Sequence, residues 1–229
     1  MPKLTDNGND MVEIRRDRYL TRLKHPILIR TRMYESPFGV LMLGETEGKL
    51  CLCDWLTEPH HRQVEYRLQR MMGAEFEEGI TEVTEKAARQ LDEYFSVQRH
   101  TFDIPLMLVG TPFQQSVWQS LLAIPYGEVL SYAEVACRIG KPRAVRAVAN
   151  AIGANALSLF IPCHRVIGSN HSLMGYAGGQ EAKRQLLEIE KGAYIAIILN
   201  DEKGNIRNGC CSNADSMSRE RKASDEHDS

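Results

Sequence analysis

No stretch of the 229 residues approaches the roughly 20 consecutive apolar positions of a membrane-spanning helix. The opening Met1-Pro2-Lys3-Leu4-Thr5-Asp6-Asn7 has no apolar core of the kind a secretory signal carries. Six cysteines (51, 53, 137, 163, 210 and 211) lack the regular spacing of a disulfide framework. Together these absences exclude a membrane-embedded or disulfide-stapled class, and they predict free thiols in a reducing cytoplasm. Net charge is −2, so the whole chain is not a polycation. One local absence says more. From Val135 through Gln180 there is no Asp or Glu, while Arg138, Lys141, Arg143, Arg146 and Arg165 all fall inside. A one-sign segment in a slightly acidic chain is an electrostatic footprint suited to phosphates.

What is present divides into two halves. Residues 1 to 25 are polar and mixed in charge, and are expected to be a flexible segment. Ile27 to Tyr34, Val40 to Gly44 and Lys49 to Trp55 read as three strands, separated by turns at Ser36-Pro37-Phe38-Gly39 and Glu45 to Gly48. That pattern predicts an antiparallel meander. His60 to Met72 reads as a helix ending near Gly73. Thr84 is the expected cap of another, with an apolar face at Ala87, Ala88, Leu91 and Phe95. Phe102 to Leu106 reads as short and extended. The expected unit is a small α/β domain over 26–105 that carries no chemical motif. A metal site at Cys51, Cys53, His60 and His61 matches no defensible zinc spacing, so packing is preferred there and no metal is assigned.

The second half, 106–199, reads as mainly helical and well punctuated. Thr111-Pro112-Phe113-Gln114 combines an N-cap, a proline at the first helical position and a capping-box glutamine. Ser131-Tyr132-Ala133-Glu134 is a second capping box, opening a short helix that ends at Gly140. Pro142 is expected to start the next helix, through Arg143, Val145 and Arg146 to about Ile152. Two short helices around a Gly140-Lys141-Pro142 corner form a helix-turn-helix, whose second helix enters a DNA groove. Gly168 to Gly179 is an expected loop and Gln180 to Lys191 a helix. Tyr194 to Leu199 is an apolar segment expected to pack on the core, and 200–229 a disordered tail.

The stretch Leu159 to Ile167 concentrates the chemistry. An apolar run, expected as a short buried strand or its approach, meets Pro162, and Cys163, His164 and Arg165 follow directly. Flanking cationic groups favour thiolate and lower a thiol pKa that starts near about 8.5, which is the chemistry of a nucleophile. A buried cysteine acting as a small hydrophobe is the other reading of these residues alone.

Four blocks in order and spacing resemble the O6-alkylguanine-DNA alkyltransferases. They are Tyr126-Gly127-Glu128-Val129-Leu130-Ser131-Tyr132, Arg143-Ala144-Val145-Arg146-Ala147-Val148, Ile161-Pro162-Cys163-His164-Arg165-Val166 and Gly175-Tyr176-Ala177-Gly178-Gly179. The resemblance covers Thr111 to Gly192. It extends more loosely, through the strand after Ser36-Pro37-Phe38-Gly39, to a ribonuclease-H-like α/β domain. The fold it implies is α+β: that small domain with antiparallel strands, then a mainly helical one holding the helix-turn-helix.

The resemblance also implies a reaction. An alkylated guanine in double-stranded DNA is flipped out, and Cys163 takes its O6-alkyl group irreversibly, with O4-alkylthymine a second candidate substrate. No cofactor, metal or membrane is implied, and the state is a monomer. His164 would take the Cys163 proton through a water, Glu190 would orient His164, and Tyr132 would donate to the leaving guanine. Asn155 would brace the Cys163 loop. Arg146 would fill the vacated stack, with Arg143, Ser131 and Lys141 also on the DNA. Pro162, Val166, Tyr176 and Ala177 would form the base pocket. Ala177 stands where several members have serine, and Asn155-Ala156-Leu157-Ser158 lacks prolines that many carry. Three rival readings are a lesion-binding relative that transfers nothing, a helix-turn-helix regulator with an inert cysteine, and a cysteine hydrolase. Cys163 argues against the first of these, since such relatives typically carry another residue there.

Overall fold

The computed structural model describes residues 26–57 and 60–191. The expectations for 1–25, for Tyr194 to Leu199 and for 200–229 lie outside the described residues. Strands β1 (Ile27–Ser36), β2 (Gly39–Thr46) and β3 (Lys49–Trp55) form the expected antiparallel meander. Ser36 and Gly39 close the first turn, the Ser36 hydroxyl donating to the Gly39 carbonyl at 2.6 Å. Glu47 and Gly48 close the second with φ of 53° and 73°. Two positive φ values in a two-residue loop follow the right-handed twist of the strands.

Helix α1 (His60–Met72) then leads to β4 (Ala74–Glu78), which pairs parallel with β1 and completes the order β3-β2-β1-β4. The sequence reading passed over β4. Its residues are Ala-Glu-Phe-Glu-Glu, and only Ala74 is buried, so neither propensity nor alternation marks it. A short, charged edge strand also discourages pairing with another chain.

Helix α2 (Glu82–Phe95) is capped by Thr81, not Thr84. The two threonines form one capping box: Thr81 accepts from the Thr84 amide, and the Thr84 hydroxyl accepts from the Thr81 amide. Residues 105–107 then run beside β3, where Leu50 donates to Pro105 and Met107 donates to Leu50, each at 2.9 Å. Helix α3 (Pro112–Leu122) begins at its Thr111 capping box as expected.

The helix-turn-helix consists of α4 (Tyr132–Arg138) and α5 (Val145–Gly153). Pro142 does not start the second helix: Lys141 to Ala144 form a turn, with the Ala144 amide on the Lys141 carbonyl at 2.9 Å. The exposed face of α5 carries Arg146, Ala147 and Asn150, while Val148, Ala151 and Ile152 point inward. Trp118 on α3 fixes α5 by donating its indole N–H to the Ala151 carbonyl at 2.7 Å. The last helix, α6 (Gly179–Lys191), buries Ala182, Lys183, Leu186, Leu187 and Glu190 on one stripe. The two halves share one apolar core, running from Tyr34, Leu41 and Tyr94 through Trp118 and Val148 to Leu186.

Candidate active site

The segment before Cys163 is not a strand. Leu159 has φ of 72°, left-handed for a bulky residue, and Ser158 bridges back to Ile161 across a tight turn. That backbone strain is held in place by β3, because Cys53 donates to Ala156 at 2.8 Å and accepts from the Ser158 amide at 2.7 Å. Pro162 then opens a single 3-10 turn over Cys163–Arg165, which runs into β6 (Val166–Ile167) beside β5 (Leu130–Ser131). The small half therefore positions the nucleophile loop.

Cys163 is 6% exposed and in the free thiol state. The expected positive flank is not what acts on the thiol, since His164 Nε2 and Arg165 both engage Glu190. Burial pushes the thiol up, opposed by the Asn155 hydrogen bond and the Lys183 ammonium. Asn155 Nδ2 donates to the Cys163 sulfur at 3.2 Å and to the Ile161 carbonyl at 3.1 Å, while its Oδ1 accepts from the Leu157 amide. Asn155 thus braces the loop at three points.

Glu190 is the hub of a buried polar network. Its carboxylate accepts from His164 Nε2 at 2.8 Å, from Arg165 Nε and Nη2 at 2.8 Å each, from Tyr94 Oη at 2.8 Å and from the Gly127 amide at 3.1 Å. Burial alone raises a carboxyl, but His164 and Arg165 outweigh it and hold Glu190 well below the usual carboxylate range. His164 is fully buried, and burial pushes its pKa down against the pull of Glu190. A neutral imidazole whose Nε2–H faces Glu190 keeps a lone pair on Nδ1. That Nδ1 is buried and has no hydrogen-bond partner among the described residues.

Lys183 escaped the sequence reading. It is 1% exposed, donates to the Val166 carbonyl at 2.6 Å and lies 6.0 Å over the Tyr132 ring. Burial pushes its ammonium down to about 8, opposed by Cys163. The signal was present: Lys183 and Glu190 share a helical stripe with Ala182, Leu186 and Leu187.

The loop 168–178 closes over this centre. Tyr176 is buried, its hydroxyl accepting from Trp55 Nε1 at 3.0 Å, and Thr57 donates to the Ala177 carbonyl at 2.7 Å. A Cβ on Gly178 would meet Trp55 at 2.7 Å, so only glycine lets the loop approach β3 this closely. Tyr132 donates to the Met174 carbonyl at 3.2 Å. The small half, read as carrying no chemical motif, therefore supplies Tyr94, Trp55 and Thr57 to the site.

Two family models span these halves: "6-O-methylguanine DNA methyltransferase, ribonuclease-like domain" over residues 29–108, and the DNA binding domain of the same family over 112–192. The constitutive methylated-DNA–protein-cysteine methyltransferase of Bacillus subtilis is 44% identical over 166 residues, 70% of this chain and 94% of that relative. The Methanosarcina barkeri protein of the same description is 43% identical, covering 69% and 94%. The chain belongs to the 6-O-methylguanine DNA methyltransferase family. Among solved structures, Mycobacterium tuberculosis OGT in complex with DNA is 40% identical, with a TM-score of 0.60 over 72% of this chain and 93% of that one.

Within the methyltransferase fold, the other expected residues fall in two groups. Arg143, Arg146 and Lys141 are exposed on the helix-turn-helix, with Lys141 Nζ 5.2 Å over the Phe113 ring. Ser131 is buried, its hydroxyl accepting the Glu134 amide as the α4 N-cap, so it fixes Tyr132 at the start of that helix. Pro162 and Val166 are buried beside Cys163. Among the described residues no three His, Cys, Asp or Glu side chains group as metal ligands. Cys51 and Cys53 are buried free thiols, Cys51 pushed up by burial to about 12, and His60 and His61 turn to Asp54. No helix among the described residues is long and apolar enough to cross a membrane.

Proposed function

We infer that this chain repairs DNA by moving the alkyl group of an O6-alkylguanine onto Cys163. The Cys163 sulfur attacks the alkyl carbon, an S–C bond forms as the C–O6 bond breaks, and unmodified guanine leaves. His164 Nδ1 receives the thiol proton through a water, and Tyr132 supplies a proton or hydrogen bond to the departing base. Asn155 holds the sulfur, and Glu190 fixes the His164 tautomer. Lys183 is the cation that favours thiolate as the proton leaves. No thiol can exchange the resulting thioether, so each protein molecule acts once.

The DNA is double-stranded and the base is flipped. Arg146 enters the vacated stack, and Arg143 and Lys141 meet phosphates, while Ser131 acts through the placement of α4. Pro162, Val166, Tyr176 and Ala177 bound the base pocket, with O4-alkylthymine a second substrate. The protein works as a monomer in the cytoplasm, without a cofactor. The observation carrying this reading is the unpartnered, buried Nδ1 of a neutral histidine directly after a buried cysteine, with Nε2 on a carboxylate.

A duplex with O6-methylguanine inside a restriction site tests it. Cutting should return in proportion to protein added, one site per molecule, and should not return with Cys163→Ser. Restoration of many sites per molecule, or restoration by the serine variant, would overturn the reading.

A further inference from the structure

A cavity of about 420 Å³ opens between α1 of the small half and the recognition helix α5. His60, Gln63 and Arg67 line one wall, and Tyr132, Asn150 and Gly153 line the other; no acidic side chain lines it. Arg67 is its unusual member. The guanidinium sits 5.8 Å over the Trp118 ring, and its Nε and Nη2 are out of solvent contact with no hydrogen-bond partner among the described residues. Leaving a buried charged donor unpaired is costly, so such a group marks a seat for an acceptor.

The surrounding charges sharpen this. Asp54 is fully buried, and its Oδ2 faces His60 Nδ1 at 3.2 Å and His61 Nδ1 at 3.4 Å. His60 Nε2 faces the Gly153 carbonyl at 2.7 Å. Both ring nitrogens of His60 meet acceptors, so His60 carries a proton on each and is positively charged. Asp54 Oδ2 is therefore taken up by the histidines, while Asp54 Oδ1 has no hydrogen-bond partner among the described residues. Its charge attracts Arg67 without a hydrogen bond between them, so the Arg67 donors remain open beside the cavity. Tyr132, which the proposed reaction places against the departing base, forms part of the same cavity.

We propose that this cavity seats one backbone phosphate of the flipped nucleotide, with Arg67 as its principal donor and Gln63 and His60 beside it. The proposal rests on the base-flipping reading above. Rotating a nucleotide out of the stack carries its phosphodiester toward the protein. A phosphate brings paired acceptor oxygens that match a guanidinium fork. Helix α1 would then be a second DNA-contacting element, facing the recognition helix across the strand that bears the lesion.

The test combines Arg67→Met, which keeps a stem on Trp118 and removes the charge, with duplexes carrying a single neutral methylphosphonate. The neutral linkage is moved one position at a time around an O6-methylguanine. On native DNA the variant should transfer on the order of tenfold more slowly, as for loss of one charge-assisted contact. Its salt dependence of binding should fall by about one unit of slope. One neutral linkage next to the lesion should slow the wild type similarly and leave the variant no slower, and Arg67→Lys should recover part of the loss. Equal sensitivity of wild type and variant at every linkage would overturn the proposal. So would a lower thermal midpoint with an unchanged salt slope, which would make Arg67 a structural partner of Asp54. If the wild type itself gains no methyl group, the parent reading fails instead.

Discussion

Glu190→Gln is expected to remove about 3–5 kcal/mol of stability and to slow alkyl transfer by about 100-fold or more. The first effect follows from Arg165, which is 7% exposed and directs Nε and Nη2 at Glu190. Without the carboxylate, the guanidinium keeps its 2.7 Å hydrogen bond from Nη1 to the Ile124 carbonyl and its place 5.8 Å over the Tyr126 ring, but it loses this counter-charge. An uncompensated buried charge is the costly outcome, and removing both partners is milder. Arg165→Met added to Glu190→Gln should therefore recover most of the lost stability, measured as urea midpoints. The second effect follows from His164, because a glutamine amide can donate to Nε2. That would move the ring proton to Nδ1, the atom needed to accept the thiol proton. Transfer should stay slow in the double variant after stability returns.

The same carboxylate sets an acid limit. Its folded-state pKa lies well below the roughly 4.3 of an unfolded glutamate. A depressed carboxyl contributes stability that is present above the unfolded pKa and lost as pH falls toward the folded one. The wild type should lose stability steadily below about pH 4, and Glu190→Gln should lack that part of the slope.

Lys183→Met is expected to slow transfer about tenfold at neutral pH, the effect of about one unit on the thiol pKa. Burial already pushes the Cys163 thiol up, and Lys183 is the cation that opposes it. Methionine has a similar volume, so the core of α6 should remain filled. The signature is in the pH profile. Lys183 itself loses its proton at about 8. Below that the wild type holds the advantage, and above it the two rates should converge. Stability moves the other way. A lysine with a lowered folded-state pKa binds fewer protons folded than unfolded, so wild-type stability rises with pH from about 8 toward the unfolded value. Lys183→Met should flatten that rise. A deficit constant across pH would point to packing instead of charge.

Local chemistry explains what the sequence made legible. The capping boxes at Thr111 and Ser131 involve residues three apart, and the structure places both helix starts there. Cys163, His164, Asn155, Tyr132 and Glu190 were named from motif register, and the structure gathers them around one buried centre. Misreadings arose where two local choices competed. Thr81 and Thr84 each cap the other, so the pattern alone does not say which one begins the helix. Pro142 suits a first helical position, yet it lies in the turn before α5. The thiol environment was misjudged because neighbours in sequence need not be neighbours in space. Arg165 follows Cys163 by two residues and still turns to Glu190, whereas Lys183, twenty positions on, supplies the charge. Tyr94, Trp55 and Thr57 lie outside every motif, and only the packing of the two halves brings them to the site.

Intact-protein mass after incubation with duplex DNA carrying one O6-methylguanine tests the central claim most directly. The account predicts a gain of one methylene, saturating at one per molecule, located on the peptide containing Cys163 and absent in Cys163→Ser. No gain with wild-type protein, or a gain that persists in the serine variant, would contradict it.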